Sequence, residues 1–354
     1  ACLILPLVLP VGRIFVWLGQ DPQLAAMAGE FMQIAAWSLF PALGIAALRS
    51  LVAAFAATRV ILVITLAGVL VNASVASILI FGRFGMPRLE LRGAAISTLT
   101  TNVAMFLLFL LYVRSRRRFR RFHILHGFWQ PDWQRLREIF RIGIPIGLTL
   151  LAESSLFSAA TLMMGWLGTD EVAAHAIALQ CASMAFMVPA GIGVAAAVRV
   201  GLAFGRGDTE GIRKAGWTAL AAGAAFTTCS CVLFLSAGPW LVSLFLDPVA
   251  DARAATLAAG FLIVAGVFQL VDGGQVVAAN ALRGLSDTTM PMIIAICGYW
   301  LLGMPVAYGL GFIAGWRGTG IWIGLAAGLA AVACVLVARF AMRDRLGLTA
   351  RRPG

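Results

Sequence analysis

Two carboxylates in this 354-residue chain stand where a carboxylate is costly. Glu153 lies inside the apolar run IGIPIGLTLLAESSLFSAATLMMG, and Asp272 inside AGVFQLVDGGQVVAANALRG. Each belongs to a polar stripe at helical spacing: Thr149, Glu153, Ser154, Ser158 and Thr161 in one segment, Gln269, Asp272, Gln275 and Asn280 in the other. Lipid rejects such stripes, so they are expected to face an interior cavity. A cavity of low dielectric disfavours the charged carboxylate, and a bound cation favours it. A site that holds either a proton or a cationic ligand, but not both, is the minimum chemistry of an antiporter. The competing reading is a protonated, hydrogen-bonded packing pair, or carboxylates held by a neighbouring Arg.

With Arg141 and Arg283 as markers of one membrane surface, Glu153 is 12 residues deep and Asp272 is 11. At about 1.5 Å per residue both lie roughly 16–18 Å in, near the middle of a core about 30 Å thick. Weaker candidates are Asn72 and Asn102, which either line a cavity in the first half of the chain or join neighbouring helices. His175 falls about one turn from a span's outer end, where an amphipathic ring is unremarkable. Glu30 is expected to reach water, and Arg199 to snorkel. His123 and His126 form an isolated HxxH, poor evidence for a metal centre. No metal is expected beyond Na⁺ at Glu153 and Asp272.

The elements that carry these groups are set by composition. The chain is 61% hydrophobic and 12% charged, with a mean hydropathy of +0.94. That leaves too little polar surface for a water-soluble fold, and the long apolar runs exclude the period-two pattern of a membrane barrel. The predicted class is an all-α polytopic membrane protein. About ten spans are visible, near 1–18, 25–48, 60–82, 93–113, 142–167, 172–204, 215–246, 254–281, 289–314 and 318–340. Basic loop residues divide 20 to five between the two sides, which assigns the richer side to the cytoplasm. The same bias explains the net charge of +12 without invoking nucleic acid. The six cysteines lie in apolar surroundings without metal spacing and read as packing residues.

Residues 114–141, with the run RSRRRFRR, form the expected basic cytoplasmic linker. It separates a four-span N-terminal lobe, 1–113, from a six-span C-terminal lobe, 142–341, followed by a basic cytoplasmic tail, 342–354. The two lobes share an order of motifs. Pro10, Asp21-Pro22 and Ala47-Leu48-Arg49, followed later by Gly93, parallel Pro239, Asp247-Pro248 and Ala281-Leu282-Arg283, followed by Gly318-Thr319-Gly320. In the second lobe the Asp-Pro corner follows three spans, and in the first it follows one. Two spans are therefore expected to be missing from the front of a twelve-span protein. A chain lacking them is expected not to transport by itself. No phosphate loop, nucleophile set or metalloenzyme spacing is present, so neither ATP hydrolysis nor another enzyme activity is expected.

Three segments carry a family resemblance: GIPIGLTLLAE with EVAAHAIALQCASMAFMVPAGIGVAAAVRVG; FQLVDGGQVVAANALRGLSDTTMPM with YWLLGMPVAYGLGF; and GVLVNASVASILIFGRFGMPRLELRGAAIST. Together they resemble the multidrug and toxic compound extrusion (MATE) family. The resemblance implies twelve helices in two six-helix lobes about a central cavity. It further implies exchange of H⁺ or Na⁺ for lipophilic, often cationic compounds, with Glu153 and Asp272 at the family's acidic positions of the second lobe. No other cofactor is implied. The partners expected are small-molecule substrates and lipids of a bacterial cytoplasmic (inner) membrane, with no nucleic acid and no obligate protein partner. Two alternatives compete: a lipid-linked oligosaccharide flippase of the same superfamily, expected to place more cationic residues in its cavity, and a membrane-embedded transferase, expected to hold its acids at headgroup level.

Overall fold

The computed structural model describes residues 5–8, 10, 22–55, 57–85, 87–116, 119, 132–246 and 251–350. The chain divides into two compact units, residues 1–131 and 132–354. Nine helices among the described residues are long and apolar enough to cross a hydrocarbon core. They correspond to nine of the ten predicted spans. The tenth, 1–18, falls largely outside the described residues, as do Asp21, Asp247-Pro248, Arg117, Arg118, Arg120, Arg121, His123 and His126.

In the N-terminal unit, α1 (Leu5–Val8) is a single turn, and α2 (Pro22–Ala35) passes through a 3₁₀ turn into α3 (Leu39–Ala54). α4 (Thr58–Phe81) and α5 (Glu90–Ser115) complete it, with α5 packed against α2, α3 and α4. Gly82 ends α4 in the left-handed conformation, φ 68°, its N–H closing on the Ile78 carbonyl. The chain then returns so tightly that a Cβ on Gly93 would lie 2.8 Å from the Leu79 backbone. Leu48, Val52, Ile64, Phe109, Val113 and Phe119 form its core.

The C-terminal unit starts with α6 (Trp133–Leu167). The Asp132 carboxylate accepts the N–H groups of Gln134 and Arg135 at 3.1 and 3.2 Å, an N-cap that starts the helix early. Residues 133–141, expected in the linker, are consequently helical. Gly168, at φ 142°, breaks the chain between α6 and α7 (Thr169–Arg206). Gly207 and the Asp208 cap do the same before α8 (Thr209–Ser243). α9 (Ala252–Gly284) is the centre, packed against α7, α8 and α12 (Arg317–Ala341).

Residues 289–313 form one irregular span. α10 (Thr289–Ile296) and α11 (Met304–Tyr308) alternate with two π-helical segments, Cys297–Gly303 and Gly309–Ile313. Pro305 has no N–H to give and crowds the carbonyl four residues back, which favours a local change of hydrogen-bond register. The span lies against α12 almost backbone to backbone: a Cβ on Gly324 would sit 2.2 Å from the Ala307 nitrogen, and one on Gly328 2.7 Å from the Gly303 Cα. In lipid there is little hydrophobic drive between helices, and such close approach supplies the dispersion contact that replaces it.

Candidate functional site

A polar group inside a membrane helix bundle has no bulk water to turn to, so each buried one must be accounted for. Gln269, Asp272, Gln275 and Asn280 are all buried along α9. Gln269 Nε2 donates to the Ala182 carbonyl of α7 at 2.7 Å. Gln275 Nε2 donates to the Tyr299 hydroxyl in the first π segment. Asn280 donates to the Val276 carbonyl at 2.8 Å and accepts from Arg283 at 3.4 Å. Glycines admit this crowding: a Cβ on Gly193 would meet Asn280 Nδ2 at 2.8 Å, and one on Gly273 would meet the Thr227 methyl at 2.4 Å.

The amide donors are used, but three oxygens on the same stripe are not: Gln269 Oε1, Asp272 Oδ1 and Gln275 Oε1 have no hydrogen-bond partner within the protein. Three buried acceptors call for a proton, a water or a cation. Glu153, half-buried on α6, lies within electrostatic reach of Asp272, Tyr299 and Arg283. The structure thus brings Glu153, Asp272 and Gln275 into one neighbourhood, with Tyr299 bonded to Gln275 and Arg283 as a nearby positive charge.

Other expected members are elsewhere. Ser154 and Ser158 are exposed, the Ser158 hydroxyl turned onto the Ser154 carbonyl at 3.0 Å. Thr149 is buried but bonded to the Pro145 carbonyl at 2.8 Å. Asn72 joins α4 to α5, donating to Ser97 Oγ and Thr101 Oγ1 at 3.3 and 3.2 Å, and Asn102 is half-buried on α5. Glu30, expected to reach water, forms a two-pronged ion pair with Arg92, at 3.0 and 2.7 Å.

Sequence reasoning missed four participants. Tyr299, an aromatic residue in an apolar run with no polar stripe of its own, is fully buried and bonded to Gln275. Arg283 was used as a surface marker, yet its guanidinium is half-buried and turned back toward Asn280. The signal was present: Arg283 continues the α9 stripe three residues beyond Asn280. The others are His175 and Trp322, both buried and stacked with ring centroids 5.5 Å apart. The Thr161 hydroxyl lies 3.0 Å from the Phe157 carbonyl and within hydrogen-bond distance of His175 Nε2, at 3.1 Å. His175 Nδ1 is without a partner, like the Trp322 Nε1 donor. One turn beyond His175, the buried Glu171 is bonded to Arg317, which also reaches the Leu167 carbonyl at 2.9 Å.

Comparison with known proteins places this arrangement. Residues 145–309 match the MatE family model. The chain is 40% identical over 342 residues to a probable multidrug resistance protein NorM of Agrobacterium fabrum, covering 96% of this chain and 74% of the relative. It is 44% identical over 331 residues to a probable NorM of Brucella suis, covering 93% and 70%. Among solved structures it resembles the Vibrio cholerae MATE transporter VcmN, with a TM-score of 0.87 at 16% identity, covering 99% of this chain and 77% of that one. The fold and these relatives agree: the chain belongs to the MATE family of membrane transporters.

Proposed function

We propose that this protein is a NorM-like multidrug antiporter that exchanges H⁺ or Na⁺ for lipophilic, often cationic compounds by alternating access, with Glu153 and Asp272 as its coupling carboxylates. The observation that carries this reading is the buried Asp272, with one carboxylate oxygen unpartnered and Glu153 within electrostatic reach. A charge in that position is stable only when neutralised. A proton or a small cation does so, and its departure leaves the site ready for a cationic substrate or for Arg283. The names of the relatives support multidrug substrates. Gln275, bonded to Tyr299, orders the wall beside Asp272, and Gln269 and Asn280 continue it. The Arg-rich loops, including Arg206, Arg213 and Arg283, orient that end of the C-terminal unit toward the cytoplasm of a bacterial inner membrane. Gly168 and Arg317 then mark the outer end.

The test is ethidium efflux from cells expressing the protein from its own open reading frame. Asp272→Asn and Glu153→Gln keep shape and remove the titrating charge. Each is expected to lower efflux at least tenfold with the protein still in the membrane. Wild-type efflux from both would refute the assignment.

A further inference from the structure

Six buried side-chain atoms among the described residues lack a hydrogen-bond partner, and five of them fall in one region of the C-terminal unit. They are His175 Nδ1, Trp322 Nε1, Gln269 Oε1, Asp272 Oδ1 and Gln275 Oε1. Their connection can be traced through contacts. His175 stacks on Trp322 at 5.5 Å, and Trp322 meets Phe268 edge-on at 5.8 Å. Phe268 precedes Gln269, whose amide reaches α7 at Ala182. Ala182 is seven residues from His175, about 10 Å along that helix, with the buried Ala178 and the half-buried Leu179 between them on that face. Asp272 and Gln275 follow Gln269 at successive three-residue steps.

We propose that this column is a proton path through the interior of the C-terminal unit, in which bound waters link His175, near the outer end, past Trp322 and Gln269 to Asp272. Proteins leave few buried polar atoms unsatisfied, and a run of adjacent ones is the environment in which buried water is retained. The atom types select the ion. Trp322 Nε1 only donates, so this unpartnered N–H can hold a water oxygen but offers no lone pair to Na⁺. A proton taken up at His175 Nδ1 passes to the next water. Each water then releases one proton for each it receives, and the proton ends on Asp272 Oδ1, leaving His175 neutral. The inference rests on the coupling role assigned to Asp272 and sharpens it to H⁺.

Few other groups compete for the proton. Toward His175, α6 carries no titratable side chain after Glu153, α9 none between Arg253 and Asp272, and α12 none between Arg317 and Cys334. α8 offers only Cys229 and Cys231, the 289–313 span offers Cys297, Tyr299 and Tyr308, and α7 itself offers Asp170, paired with Arg253, Glu171, bonded to Arg317, and Cys181.

Two measurements decide the matter. In hydroxyl-radical footprinting of the wild-type protein in nanodiscs, water beside Trp322 is expected to give it a labelling rate within about threefold of exposed Trp217, although Trp322 has no exposed surface. Background labelling of Trp322 would overturn the path. In proteoliposomes driven by a pH gradient without Na⁺, His175→Leu is expected to slow ethidium exchange about tenfold with unchanged ethidium binding, Gln269→Leu to slow exchange by a similar factor, and Asp272→Asn to abolish it. Abolition by Asp272→Asn with wild-type rates in both leucine variants refutes the path and leaves the coupling site standing. Full exchange in Asp272→Asn refutes the coupling site itself. Exchange driven by Na⁺ but not by the pH gradient refutes the choice of ion. If a leucine variant loses ethidium binding, the wild-type footprint decides.

Discussion

Arg317 occupies a conformation that L-residues avoid, φ 51°, at the start of α12. It is held there by two partners: Glu171, whose side chain is 3% exposed, and the Leu167 carbonyl at 2.9 Å. Arg317→Gly separates these effects. Glycine relieves a backbone cost of about 1 kcal/mol. Removing one partner of a fully buried ion pair costs about 3–5 kcal/mol, but the Arg317 side chain is 51% exposed and partly hydrated. The loss discounts to about 2 kcal/mol. The lost bond to Leu167 adds about 1 kcal/mol. The net destabilisation is about 2 kcal/mol, or roughly 4–8 °C in the apparent Tm of a unit this size. The assay is thermal unfolding in detergent followed by scanning fluorescence. Adding Glu171→Gln to Arg317→Gly removes the stranded carboxylate and is expected to recover about half of the loss. An unchanged or raised Tm for Arg317→Gly, or no recovery in the double variant, refutes the reasoning.

Two further outcomes follow from packing and from the site. Gly324→Ala forces a methyl into the Ala307 backbone and is expected to destabilise the C-terminal unit by about 1–3 kcal/mol, visible as a Tm drop of several degrees; a neutral result would mean that the two helices can separate at no cost. Tyr299→Phe leaves the Gln275 amide donor unpaired beside its already unpaired oxygen, costing about 1–3 kcal/mol. Gln275→Leu in the same protein is expected to restore most of that Tm, and additive losses would show that the two residues do not act together.

The α9 stripe could be read from sequence because it is the residue type and period alone that matter: four polar residues on one face of an apolar helix have to be buried together. The α6 stripe obeyed the same rule less well. Ser158 and Thr161 satisfy their hydroxyl protons on backbone carbonyls of their own helix, so exposure costs them little, and period does not reveal their direction. Arg283 was misplaced because a long side chain separates where its Cα lies from where its charge acts. His175 and Trp322 lie 147 positions apart, and their stacking is a product of helix packing that no local pattern encodes. The spans themselves were legible because hydrocarbon thickness sets their length, whereas the early start of α6 depended on a single capping carboxylate, Asp132.

The π turns beside Gln275 hold one more residue per turn than an α-helix, and the Met304 N–H therefore closes on Tyr299 instead of its neighbour. Handing that surplus residue along the span moves the bulge without moving either end. Side chains over which it passes rotate by about 100°, enough to swing the Tyr299 hydroxyl away from Gln275. A register shift inside one helix would therefore rebuild the wall beside Asp272, and the tight backbone seam with α12 at Gly303 and Ala307 would have to yield with it.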